Sequence, residues 1–135
     1  MTPKNLLREK KATSSLAEMG EHTKFKRIYP ETDPTIVSGA EKVRRLVMCS
    51  GKLYYELIEE REKRGLSDVA IIRIEQLAPF PWDKVAEQAA LYKNAEVMWC
   101  QEEPKNMGAW SFVEPRICEY LLILLFVHFM YIFEI

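Results

Sequence analysis

A chain of 135 residues, 48% apolar and 29% charged, has the size and composition of one domain with a packed core. Its 19 basic and 20 acidic residues leave a net charge of −1, which excludes the electrostatic footprint of a nucleic-acid binder. Three cysteines, Cys49, Cys100 and Cys118, form no CxxC pair and are odd in number, so a reducing compartment is expected and neither a disulfide frame nor a zinc site is indicated.

The opening TPKNLLREKK is basic but lacks the apolar run of a signal or transit peptide. Residues 2–11 predict a short helix, with Thr2 as cap, Pro3 at the first position and Leu6 and Leu7 inward. Ser15 and Glu18 stand at capping-box spacing and predict a second capped turn. From Gly20 to Lys42 nothing repeats. Phe25, Ile28 and Tyr29 are expected to pin this long arm to a surface.

Regular structure begins at Arg45. Leu46-Val47-Met48-Cys49 reads as a buried strand that Ser50 and Gly51 turn into a helix. That helix, 52–64, carries Leu53, Tyr54, Leu57 and Ile58 on one face, with Glu59–Lys63 and Glu60–Arg64 as i,i+4 pairs on the other. Gly65 supplies the stop. Val69–Ile74, rich in β-branched residues, is a second buried strand. Pro79-Phe80-Pro81 launches a helix over 82–93, with Val85, Ala89 and Tyr92 inward.

Residues 96–100 form a third strand that ends abruptly in Gln101-Glu102-Glu103, and Pro104, Asn106 and Gly108 make a turn cluster after it. The carboxylates therefore fall at the carboxyl edge of a sheet, where α/β folds meet ligands and partner domains. A further helix is predicted over 108–116. The nearly all-apolar run 120–133 is too short for the ~20 residues of a membrane span and apolar on every side, so it reads as a foreign or truncated end. The division expected is an N-terminal arm (1–42), an α/β core (43–117) and an atypical tail (118–135). The fold class is α/β: a three-layer parallel sheet in β-α-β-α-β order.

Each chemically suggestive residue has a plain structural alternative. Cys49-Ser50-Gly51-Lys52 lies at a strand-to-helix turn but lacks the glycines of a phosphate loop, so Ser50 is expected as a helix cap. Cys49 has His22 and His128 as candidate bases, one in the arm and one in the tail, and is expected to be a buried, inert thiol. Arg73 interrupts an apolar strand with Glu75 two residues on; buried charges need partners, inside the chain or from another domain. Glu102 and Glu103 read as interdomain or subunit salt-bridge groups. Lys4, Arg8, Lys10 and Lys11 form a basic cluster that suits an anion or a solvated face. No metal cluster, triad or glycine cradle is legible, so no catalytic residue is assigned.

The segments TPKNLLR, SSLAEM, RRLVMCSGKLYYEL, VAIIRIEQLAPFPW and WCQEEPKNMGAW resemble, in order and spacing, the C-terminal region of 2-oxoglutarate dehydrogenase, its thiamine-diphosphate-dependent decarboxylating component. The resemblance covers about residues 2–117. It implies a truncated transketolase-type C-terminal domain in a large homodimer of the tricarboxylic acid cycle, found in a mitochondrial matrix or a bacterial cytoplasm. The family decarboxylates 2-oxoglutarate and passes the succinyl group to lipoamide on a dihydrolipoyl succinyltransferase core. Its thiamine diphosphate and magnesium are held by upstream domains that nothing in this sequence matches, so the chain alone is expected to be inactive. The same resemblance implies an adenine nucleotide or acetyl-CoA effector near the start of the domain, with Lys4 and Arg8 as its anion contacts. Arg73, Glu75, Glu102 and Glu103, read from their own chemistry, are the expected interdomain or dimer contacts. Relatives continue past residue 117 with another strand, which the apolar tail replaces here, so an open apolar sheet edge is expected. Two further readings are a stand-alone nucleotide-binding regulatory module and a tail-anchored membrane protein.

Overall fold

The computed structural model describes the backbone of residues 3–125 and 131–134 and the side chains of residues 3–119. After three short 3₁₀ turns, the elements run β1 (Ile28–Tyr29), α1 (Pro34–Ser38), β2 (Arg45–Cys49), α2 (Leu53–Arg64), β3 (Val69–Ile74), α3 (Trp82–Leu91), β4 (Glu96–Gln101), α4 (Trp110–Leu125) and β5 (Tyr131–Glu134). The sheet order is β1-β3-β2-β4-β5. β2 lies parallel to β3 and to β4, with Leu46 opposite Ala70 on one side and Val97 on the other. The expected β-α-β-α-β core is present, and its strands are parallel.

The chain's direction across the sheet reverses once. From β2 it steps one way to β3; from β3 it returns past β2 to β4, and then continues outward to β5. Right-handed crossovers therefore place α2 on one face and α3 and α4 on the other. The cores agree with this. Leu46, Met48, Ala70, Ile72, Val97 and Trp99 pack with Val85, Ala89 and Tyr92 of α3 and with Trp110, Val113 and Ile117 of α4. Cys49, Ile71 and Cys100 pack with Leu53 and Ile58 of α2. Strands buried on both faces must be apolar throughout, which is why β2 and β4 read as continuous runs and not as alternations. Gly65 ends α2 at φ 61°, a left-handed position that glycine takes without strain, and its N–H reaches the carbonyls of Arg61 and Glu62.

Several expectations need correction. Residues 2–11 do not make one α-helix: 3₁₀ turns at Lys4–Arg8 and Lys10–Ala12 bury none of their residues, and Thr2 lies outside the described residues. With no apolar face buried, a short segment has little to offset a costly helical nucleus. Lys63 pairs with Glu60 at 3.6 Å and not with Glu59, while Glu60–Arg64 forms as expected at 2.6 Å. The helix expected over 108–116 starts at Trp110 and runs to Leu125, through the boundary drawn between 117 and 118. A parallel β5 occupies the β4 edge that was expected to lie open, pairing Met98 with Tyr131 and Gln101 with Glu134. An uninterrupted apolar run carries no period, so the end of a helix and a buried strand look alike within it.

The opposite edge is closed by the arm. β1 pairs antiparallel with β3, Ile28 opposite Ile74 and Tyr29 opposite Arg73. Two residues further along that register a side chain takes the place of the strand. The Glu31 carboxylate accepts the Ile71 N–H at 2.9 Å and forms a two-pronged ion pair with Arg61 of α2, which also donates to the Val69 carbonyl at 3.1 Å. The N–H groups of Thr32 and Asp33 donate to its other oxygen, both at 2.9 Å. Arm, β3 and α2 are thereby fastened through one buried carboxylate.

Replacing Arg61 with Met leaves that carboxylate buried without its counter-charge. A loss of about 3–5 kcal/mol in urea unfolding is expected. A loss under about 1 kcal/mol would show that the pair does not hold the arm.

Candidate functional site at the carboxyl edge of the sheet

Where β2 and β4 lie side by side, the chain leaves them for opposite faces. Such a switch point opens a crevice beyond the carboxyl ends of the strands. Here a cleft of about 520 Å³ occupies it, walled by Ser50, Lys52 and Leu53 after β2, Leu77 and Ala78 after β3, and the segment after β4.

Gln101, the last residue of β4, builds the β4–α4 loop. Its side chain is buried; its amide oxygen accepts from the Trp99 indole N–H at 2.9 Å, and its amide nitrogen faces the carbonyls of Glu103, Pro104 and Met107 at 3.0, 3.2 and 2.8 Å. The loop thus wraps around one amide group. Gly108 closes it at φ 67°, and a Cβ there would come within 2.8 Å of the Glu103 carboxylate and 3.0 Å of the Gln101 amide nitrogen. Both the backbone conformation and the space require glycine.

The polar groups of the cleft neutralise one another. Lys52 is held by Glu102 and by Glu56, the latter at 3.2 Å, and the hydrogen bond to Glu102 is the main reason its ammonium sits above the ordinary lysine range. Ser50 lines the cleft and does not cap α2, whose N-cap position falls on Lys52. Cys49 is fully buried; desolvation pushes its thiol up to about 12, and its Sγ donates to the Ile72 carbonyl at 3.6 Å. A thiol so placed is little ionised at neutral pH.

Arg73 and Glu75 pair with each other at 2.9 Å, in contact but without hydrogen-bond alignment. The Arg73 guanidinium also lies 4.5 Å from the Tyr29 ring centre and 4.7 Å from that of Tyr54, and donates to the Tyr55 hydroxyl at 2.7 Å. These contacts tie β1, β3 and α2 together. Glu102 is engaged with Lys52, and the Glu103 carboxylate lies beside Gly108. Lys4 and Arg8 are exposed on the first 3₁₀ turn. Neither lines the neighbouring cleft of about 410 Å³, which Asn5, Glu9, Lys11 and Tyr55 help to form.

The thiamine diphosphate and magnesium of the resembling family do not fit here. Among the described residues no group of three or more His, Cys, Asp or Glu side chains is placed to hold a metal ion. In the cleft, Lys52 is already neutralised and Glu102 and Glu103 would repel a diphosphate. Among the described residues no helix is long and apolar enough to cross a membrane.

Sequence reasoning missed the buried Glu31–Arg61 pair and the organising role of Gln101. Glu31 lay in an arm without periodicity and Arg61 on a helix face rich in charge. Gln101 offered one signal, a glutamine closing a buried strand immediately before a turn cluster.

Residues 13–124 match the family described as 2-oxoglutarate dehydrogenase C-terminal. Proteins named 2-oxoglutarate dehydrogenase E1 component from Brucella ovis, Brucella canis and Brucella abortus are each 50% identical over 123 residues. These matches cover 87% of this chain and 12% of each relative's length.

Gln101→Leu leaves the Trp99 indole N–H buried without an acceptor and frees three loop carbonyls. A loss of about 1–3 kcal/mol in urea unfolding is expected, and an unchanged midpoint would contradict the clamp. Cys49 adds a pH effect whose sign follows from its raised folded value. The unfolded thiol ionises first, so its contribution is intact below the ordinary thiol range and is lost as pH climbs from there toward about 12. Between pH 8 and 10.5 the urea midpoint of the wild type should fall further than that of Cys49→Ala; equal falls would contradict the burial of this thiol.

Proposed function

Because the chain belongs to the 2-oxoglutarate dehydrogenase C-terminal family, we propose that it serves as the assembly domain of such an enzyme and supplies none of its catalytic groups. The chain spans 12% of the length of the curated relatives it matches. In this reading the whole enzyme decarboxylates 2-oxoglutarate with thiamine diphosphate and magnesium held outside this domain, and passes succinyl to lipoamide on a dihydrolipoyl succinyltransferase core. The domain has the place of a transketolase-type C-terminal domain. The Brucella relatives favour a bacterial cytoplasm over a mitochondrial matrix.

The observation that carries the proposal is the arm. Leu7, Leu16, Met19 and Phe25 are 76, 85, 65 and 71% exposed, and the three 3₁₀ turns bury none of their residues. So many large apolar groups exposed within one short stretch mark a surface made to be covered. We assign its cover to the other domains of the enzyme or to the homodimer partner, with Glu103 and the Lys52–Glu102 pair at the rim of the cleft as polar contacts. Lys4 and Arg8, exposed on the same arm, belong to this proposal as the anion contacts of an adenine nucleotide or acetyl-CoA effector.

The purified chain, supplied with 2-oxoglutarate, thiamine diphosphate, magnesium and ferricyanide as electron acceptor, should show no turnover. Measurable turnover would contradict an active site outside this domain. Calorimetric titration with AMP and with acetyl-CoA tests the effector assignment. Heat from either ligand should be lost in Lys4→Ala/Arg8→Ala, and silence with both ligands removes the assignment.

A further inference from the structure

Cys49 and Cys100 stand at the ends of neighbouring parallel strands. The register pairs Met48 with Trp99, so the next residue on each strand is a cysteine. Both side chains point to the α2 face, where they share one core cluster with Leu53, Ile58 and Ile71. Neighbouring strands lie about 4.7–4.9 Å apart, inside the window of about 4.4–6.8 Å between Cα atoms that a disulfide spans. Both cysteines are free, and Cys100 also lines the cleft of about 520 Å³ at the switch point. Two buried thiols thus stand side by side in register, and the residue carrying one of them borders the cleft.

We propose that Cys49 and Cys100 form a reversible dithiol–disulfide pair that hydrogen peroxide, entering through the cleft, oxidises. The Cys100 sulfur attacks the peroxide O–O bond; one oxygen stays on sulfur as a sulfenic acid, and the other leaves with the thiol proton as water. The Cys49 sulfur then attacks the Cys100 sulfur, and the departing hydroxide takes the Cys49 proton as a second water. Two thiols and one peroxide give one disulfide and two waters, the two electrons passing from sulfur to peroxide oxygen.

Burial keeps both thiols protonated, so the first step is slow and answers to sustained oxidant more than to a brief pulse. The Cys49 thiol must rotate away from the Ile72 carbonyl to reach its partner. The side chains of laterally paired residues stand further apart than the usual Cβ separation of about 3.8 Å in a disulfide. Closing the bond pulls β2 and β4 together beside Gln101. A bond formed against such resistance is readily reduced, the property of regulatory rather than structural disulfides. Cys118 lies on α4, on the opposite face of the sheet, and takes no part.

The test is a peptide map of the folded chain after exposure to hydrogen peroxide, with free thiols blocked by N-ethylmaleimide in denaturant. Trypsin places Cys49 in residues 46–52 and Cys100 in residues 94–105. The expected product is these two peptides joined, lighter than their sum by two hydrogen atoms and separated by dithiothreitol. Cys118→Ser should give the same product and Cys100→Ser none. Recovery of Cys49 and Cys100 as maleimide adducts, or oxidation confined to Cys118, would overturn the proposal. So would sulfinic acid at Cys100 with Cys49 still free.

Discussion

The adjacency of β2 and β4, with the chain departing from them to opposite faces, sets the rest of the molecule. Two crossovers of the same hand and opposite direction put α2 on one side and α3 and α4 on the other. A sheet covered on both faces requires the middle of its central strands to be apolar on both sides. Leu46, Met48 and Val97 serve one core, and Cys49, Ile71 and Cys100 the other. The same adjacency leaves a gap that neither helix layer fills, and the cleft with its Lys52–Glu102 pair stands there.

Two buried polar groups hold the edges of this arrangement. Gln101 gathers the β4–α4 loop around its amide, and Glu31 gathers the arm, β3 and α2 around its carboxylate. Each meets the demand that a buried polar atom find a partner, and each does so by joining segments distant in sequence. A loop or arm tied in this way is held against the sheet. The exposed apolar side chains of the arm then lie on a scaffold instead of a free tail.

The parallel core was legible because buried strands and amphipathic crossovers leave period and length in the sequence. Val69–Ile74 was bounded to the residue, and Val85, Ala89 and Tyr92 are buried as their spacing requires. The turn residues Pro104, Asn106 and Gly108 marked the site's loop. Lone polar residues whose partners lie far along the chain were not legible, since Glu31 with Arg61 and Gln101 with the Met107 carbonyl leave no local pattern. The apolar run 120–133 was illegible for a related reason: uniform hydrophobicity carries no period from which helix and strand can be told apart. Arg73 was legible as a buried charge in need of a partner, but its tyrosine surroundings come from three different elements.

Native-state hydrogen exchange of backbone amides tests the arrangement most directly. The account predicts the slowest exchange in Leu46, Val47 and Met48, which are flanked by parallel strands on both sides. It also predicts protection of the Ile71 amide, whose acceptor is the Glu31 carboxylate and not a strand. Rapid exchange in β2, or an Ile71 amide as labile as a free edge, would contradict it.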